Sequence, residues 1–197
     1  MEGCRGERLS RPAGLLVIAL SLIGSTRIRV TGRSMEPSLL EGDRLLIRRL
    51  WRRLGRIQRG HIVCLRSRGG DDPQCIKRIV GLPYERIRIA AGRVYVGGRR
   101  VDEPYLAAGN ASGQSIMERI LAHEPEQEWR LGHDEYLVLG DKRPHSTDSR
   151  SYGPVRRNDI IGVAWYRYAP GGRRVNLVTC PPPSVQDGGG PLSPAGP

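Results

Sequence analysis

A mostly β domain of mixed barrel or sandwich character is predicted by three observations. Gly and Pro together make up about a fifth of the 197 residues, which supplies many turns yet stays below the level of wholesale disorder. The apolar runs are short and bounded by Gly, Pro or Asp. No internal repeat is present, which argues against solenoids and propellers. A chain of this length can bury one core.

The elements follow in order. Arg5, Arg8 and Arg11 precede an apolar run from Pro12 to Gly24, and Arg27 and Arg29 follow it. The run has the length of a signal-peptide hydrophobic segment, but Ile23-Gly24-Ser25 is not a small-residue cleavage site. It is shorter than the roughly 20 residues of a full helical span. We read it as a short hydrophobic helix anchoring the chain in a membrane, in preference to a buried helix or strand. The arginines before it hold the N-terminus inside. Strands are expected at Ile28–Val30, Arg44–Ile47, Gly60–Leu65, Gln74–Val80, Tyr136–Leu139 and Asp159–Tyr168. Ile87–Ile89 and Val94–Val96 form a hairpin around Gly92. Leu106–Gln127 is polar, with a short helical stretch near Ser115–Leu121. Residues 1–26 are thus the basic N-terminus and anchor, 27–180 the β-rich domain, and 181–197 a Pro/Gly-rich disordered tail.

The formal net charge is +12, which suits an anionic membrane surface or nucleic acid. Lys occurs only at Lys77 and Lys142, and every other basic residue is Arg. Arg cannot lose its proton in a protein, whereas a buried Lys can, so a retained Lys marks a place where Arg chemistry fails. Cys4, Cys64, Cys75 and Cys180 form no CxxC pair and no zinc-like spacing with His61, His123, His133 or His145. No metal or organic cofactor is implied. Cys64 and Cys75 either face each other across a hairpin or are two free thiols.

Three segments carry candidate chemistry. Ser34-Met35-Glu36-Pro37-Ser38-Leu39 places a hydroxyl at a strand end. In Cys75-Ile76-Lys77-Arg78-Ile79-Val80-Gly81 the period of two sets Cys75, Lys77 and Ile79 on one face. Desolvation among apolar neighbours lowers a Lys pKa, and the neutral amine can take the proton of a Ser hydroxyl. The third, Gly140–Arg150, is a loop of short polar residues and an Asp/Arg pair after an apolar strand.

Together these segments resemble the bacterial type I signal peptidases, membrane-anchored Ser/Lys proteases that remove signal peptides from exported proteins. The likeness runs from about Ile28 to Pro170, and Glu103-Pro104-Tyr105-Leu106 also matches a family segment. The resemblance implies a signal-peptidase-like folded antiparallel β-sheet domain behind the short hydrophobic helix. It implies that Ser34 is the nucleophile and Lys77 the general base. Ser146 would orient the Lys77 amine, and Asp148 and Arg150 would form a supporting ion pair. Ile28, Val30, Met35, Leu39 and Ile76 would line the pockets for small P1 and P3 residues. The implied partners are signal peptides of exported preproteins and membrane lipids, with no nucleic acid. The implied place is the cytoplasmic (inner) membrane, catalytic domain on the outer face.

Departures from the family pattern are Gly32 where a side-chain oxyanion donor stands in some members, Tyr84-Glu85 after Pro83 in place of Gly-Asp, Lys142 in place of Asn, and Cys75 in place of an aromatic or aliphatic residue. Three rivals compete. A self-cleaving repressor protease needs a DNA-binding domain, and only 33 residues, largely apolar, precede Ser34. A Ser-His-Asp triad would use His61, His133 or His145 with Asp148, but no G-x-S-x-G elbow is present. A non-enzymatic basic β-domain would bind a membrane surface or nucleic acid through Arg48, Arg49, Arg52 and Arg53 around Trp51. In an anchored protease that same patch would touch anionic headgroups.

Overall fold

The computed structural model describes residues 25–49, 56–67, 74–106, 125–168 and 174–177. Twelve strands lie within them: β1 (Ser25–Arg29), β2 (Arg44–Arg49), β3 (Ile62–Arg66), β4 (Gln74–Gly81), β5 (Arg86–Ala90), β6 (Arg93–Val96), β7 (Arg99–Arg100), β8 (Gln127–Arg130), β9 (Glu135–Leu139), β10 (Val155–Arg156), β11 (Ile160–Tyr168) and β12 (Arg174–Asn176). One helical turn, α1 (Ser149–Tyr152), joins them. The larger sheet runs β1-β2-β11-β3-β4-β9-β10, with β12 beside β11, and the smaller runs β7-β6-β5-β8. Every pairing is antiparallel. The mostly β expectation therefore holds. The anchor, the helical stretch near Ser115–Leu121 and the tail lie outside the described residues. Among the described residues no helix is long and apolar enough to cross a membrane.

The expected strands form where their patterns place them. β3 is central, and Ile62 to Leu65 are buried on both faces, which is why it reads as an unbroken apolar run. β5 alternates, with Ile87 and Ile89 inside and Arg86 and Arg88 toward solvent. Its hairpin turns on Ala91-Gly92, both at positive φ (47° and 69°), between the pair Ala90 and Arg93. This is the mirror-image turn whose twist suits adjacent strands. β8 was not expected. Its sequence QEWR offers one apolar side chain, Trp129, paired opposite Ile87 at the sheet edge.

Three apolar clusters fill the interior. Alternation on β4 decides which residues enter which. Ile76 faces Cys64 across the ladder and joins the first cluster, while Cys75 faces Leu65 and joins the second. Cys64 and Cys75 thus point to opposite faces, and both are free thiols. The third cluster seals the seam between the sheets with Val80, Ile87, Leu131 and Leu137. Gly81 permits that seam, since a Cβ there would lie 2.9 Å from Ile87, Leu131 and Leu137 side-chain atoms.

Candidate active site

The segment after β1 winds into a single turn, with Glu36 N–H donating to the Arg33 carbonyl (3.1 Å) and Leu39 N–H to the Met35 carbonyl (2.9 Å). Met35 and Leu39, four apart, fall on one side of that turn and are buried in the first cluster. These two plugs fix the backbone that carries Ser34. Val30 is buried beside them, and Ile28 and Ile76 are half-buried against the cluster. The structure therefore groups all five expected pocket residues, with only Ile28 and Ile76 reaching its surface.

Lys77, on β4, is 5% exposed, and its Nζ lies 3.0 Å from Ser34 Oγ. Burial lowers its pKa, opposed by the charges of Cys75, Asp148 and Asp141. The amine is desolvated and forms no ion pair among the described residues. A lysine in that state is a base at lower pH than an exposed one.

The loop after β9 wraps this pair. Lys142 N–H donates to the Ser34 carbonyl (3.0 Å), and Lys142 Nζ meets the Glu36 carboxylate at 2.7 Å. Asp148 is wholly buried, and Arg150 Nε donates to its Oδ1 (2.9 Å). Gly140 N–H donates to its Oδ2 (3.0 Å). Asp148 also caps α1, accepting from Arg150 N–H at 3.2 Å. Asp148 and Arg150 thus form the expected ion pair. Ser146 is in the same loop with a buried Oγ that has no hydrogen-bond partner among the described residues. It does not bond to Lys77 here. It packs on Gly140, whose Cβ position would fall 2.2 Å from Ser146 Oγ and 2.6 Å from the Ser34 carbonyl oxygen. Only the absence of a side chain at 140 lets the two segments meet.

The triad rival finds no partner. His133 and His145 are exposed, His61 Nδ1 accepts from Gln58 N–H, and Asp148 is occupied by Arg150 and Gly140. Two further buried groups were missed in the sequence. Arg78 donates to both oxygens of Asp141 (2.8 and 2.6 Å) and to Ser38 Oγ (3.0 Å). Arg143 is clasped by Glu103, which also accepts from the Tyr105 hydroxyl. Their sequence signals were membership in the segments already singled out, Arg78 beside Lys77, Asp141 and Arg143 in Gly140–Arg150, and Glu103 in Glu103–Leu106, with nothing to show how they pair.

A family model described as signal peptidase, peptidase S26, matches residues 8–169. A probable signal peptidase I-2 from Synechocystis sp. is 35% identical over 173 residues, covering 85% of this chain and 73% of that protein. Signal peptidase I V from Bacillus subtilis is 32% identical over 162 residues, covering 77% and 92%. A crystal structure of a signal peptidase I from Enterococcus faecalis V583 is 28% identical with a TM-score of 0.47, covering 56% of this chain and 98% of that one. The family-model match extends across the strands and loops that carry Ser34, Lys77 and Ser146, and the relatives cover most of the chain, so the chain belongs to the signal peptidase I family of peptidase S26, serine endopeptidases that remove signal peptides from exported preproteins.

Proposed function

We propose that Ser34 is the nucleophile and Lys77 its general base. The 3.0 Å contact between Lys77 Nζ and Ser34 Oγ, inside a buried setting, carries this reading. The neutral amine takes the Oγ proton as Oγ attacks the scissile carbonyl, then returns it to the leaving amine. Water attacks the resulting ester with the same amine as base, which releases the signal peptide and restores Ser34. The transient ammonium is favoured by Asp148 and Asp141. The Ser34 N–H supplies one donor to the oxyanion, and Gly32 offers no side chain there. A buried hydroxyl without a partner costs about 1–3 kcal/mol, so Ser146 is poised to take up a bond to the Lys77 amine.

Ile28 and Ile76 form the accessible wall for small P1 and P3 side chains, with Val30, Met35 and Leu39 as its floor. The apolar run ending at Gly24 abuts β1, so an anchor there holds the catalytic domain against the outer face of the cytoplasmic membrane. The membrane lipids are then its second partner.

The test is cleavage of a preprotein carrying an Ala-x-Ala site, in detergent, by wild type and by Lys77→Arg. Arg keeps the charge but cannot serve as base. Cutting by wild type and loss in Lys77→Arg is expected. Equal cutting by both removes Lys77 from the mechanism.

A further inference from the structure

Three guanidiniums surround the catalytic loop, those of Arg78 and Arg143 buried and that of Arg150 partly buried, and each has its own carboxylate. Arg78 takes Asp141, Arg150 takes Asp148, and Arg143 takes Glu103. The first two carboxylates belong to the loop itself. The third arrives from the Glu103–Leu106 segment, to which no function has been attached so far. The Glu103 and Arg143 side chains are 7% and 2% exposed. Arg143 also donates from Nε to the Gly140 carbonyl (3.1 Å) and from Nη1 to the Gly92 carbonyl (2.8 Å). Gly140 is the residue on which Ser146 and the Ser34 carbonyl converge. Tyr105 braces the same node, bonding Glu103 through its hydroxyl while its ring lies 3.9 Å from the Arg78 guanidinium.

We propose that Glu103 is a positioning residue for the dyad: it seats Arg143 against Gly140 and leaves the loop without surplus charge, so Lys77 is held as an uncommitted base. The proposal rests on Lys77 being that base. The groups whose charges act on Lys77 are Cys75 on its own strand and Asp141 and Asp148 in the loop. Both aspartates are already engaged by guanidiniums. Without the Glu103 charge, a buried Arg143 would stand unmatched behind Gly140. Its positive potential would disfavour the Lys77 ammonium and shift the loop that meets Ser34.

With only two lysines in the chain, 13Cε-labelled lysine gives two resonances, and Lys142→Arg assigns them. This titration is read without substrate, so it stays informative whatever the cleavage assay shows, while the wild-type against Lys77→Arg comparison tests the dyad separately. In Glu103→Gln, Lys77 is expected to titrate at lower pH. Its kcat should fall about tenfold or more with KM held within about twofold. Glu103→Gln combined with Arg143→Gln removes both charges and should return the Lys77 titration toward wild type. An unchanged titration and unchanged kcat in Glu103→Gln overturn the proposal. If Glu103→Gln fails to fold, Glu103→Asp decides: it keeps the charge and shortens the reach, so an unmoved titration with lowered kcat is expected, and wild-type kcat overturns it.

Discussion

Replacing Gly140 by Ala tests whether the meeting of two loops sets the dyad. The added methyl would lie 2.2 Å from Ser146 Oγ, 2.5 Å from Ser146 Cβ and 2.6 Å from the Ser34 carbonyl oxygen. Rotation about the Ser146 side chain relieves only the first of these. Ordinary contact is about 3.5 Å, so the Ser34 backbone and the loop must part by about 1 Å. Ser34 is bound to the loop through Lys142 N–H and to β4 through Lys77. Parting by that amount carries the 3.0 Å Ser34–Lys77 contact beyond hydrogen-bond range. Misplacement of about 1 Å costs about a hundredfold in rate. Overpacking costs about 1–3 kcal/mol of stability, so the protein should remain folded while kcat collapses. The assay is single-turnover cleavage of an Ala-x-Ala preprotein in detergent, beside urea unfolding. Gly153→Ala is the control: it imposes backbone strain, at φ 79°, without steric overlap, since its Cβ meets nothing within 4 Å, and it should leave kcat unchanged. A Gly140→Ala protein with kcat within about threefold of wild type would refute the reasoning.

Three other outcomes are expected. Lys77→Met should abolish cleavage yet stabilise the fold at low and neutral pH. Burial lowers the folded-state pKa of Lys77 below the ordinary 10.5, so the buried charge costs most below that folded pKa, and the cost fades as pH rises toward 10.5; urea unfolding showing a gain no larger at about pH 6 than at about pH 10 would contradict this. Tyr84 is 80% exposed at φ 68°, where the left-handed backbone penalises any side chain, so Tyr84→Gly should exceed Tyr84→Ala in stability by about 1 kcal/mol, measured by chemical denaturation. Alkylating Cys75 should block cleavage, since the adduct stands two residues from Lys77 on the same strand face, and reaction should be slow at neutral pH because burial raises the Cys75 thiol pKa. Full activity after complete Cys75 modification, with a Cys75→Ala control, dismisses that link.

The residues proposed to do the chemistry were readable in the sequence because their signals are local or compositional. Lys77 stands out as one of two lysines, and strand periodicity sets it beside Cys75 and Ile79. Asp148 and Arg150 are two residues apart, so their pairing needs no fold. What escaped depends on register. Arg78 and Asp141 are 63 residues apart, and Glu103 and Arg143 are 40 apart, and nothing local joins them. A one-residue offset in the β3–β4 ladder separates Cys64 from Cys75, an offset that turn residues alone do not reveal. β8 escaped because an edge strand facing solvent needs almost no apolar pattern.

The same geometry explains why lysine rather than arginine stands at 77 among the buried cations. Arg78, Arg143 and Arg150 are useful here because they stay charged: each bonds a carboxylate, and each of their guanidiniums also reaches a backbone carbonyl, Gly60, Gly92 and Arg143 respectively. A permanent cation suits a strut. At 77 the strand delivers a side chain into a buried space where the two carboxylates whose charges act on it, Asp148 and Asp141, are already taken. A permanent charge there would have no counter-ion and no proton to accept. Of the two long basic side chains, only lysine can occupy that space neutral and still become charged in the proposed proton transfer. The ion pairs around it therefore act by exclusion as much as by support, because every carboxylate they occupy is one that cannot hold Lys77 as a salt bridge.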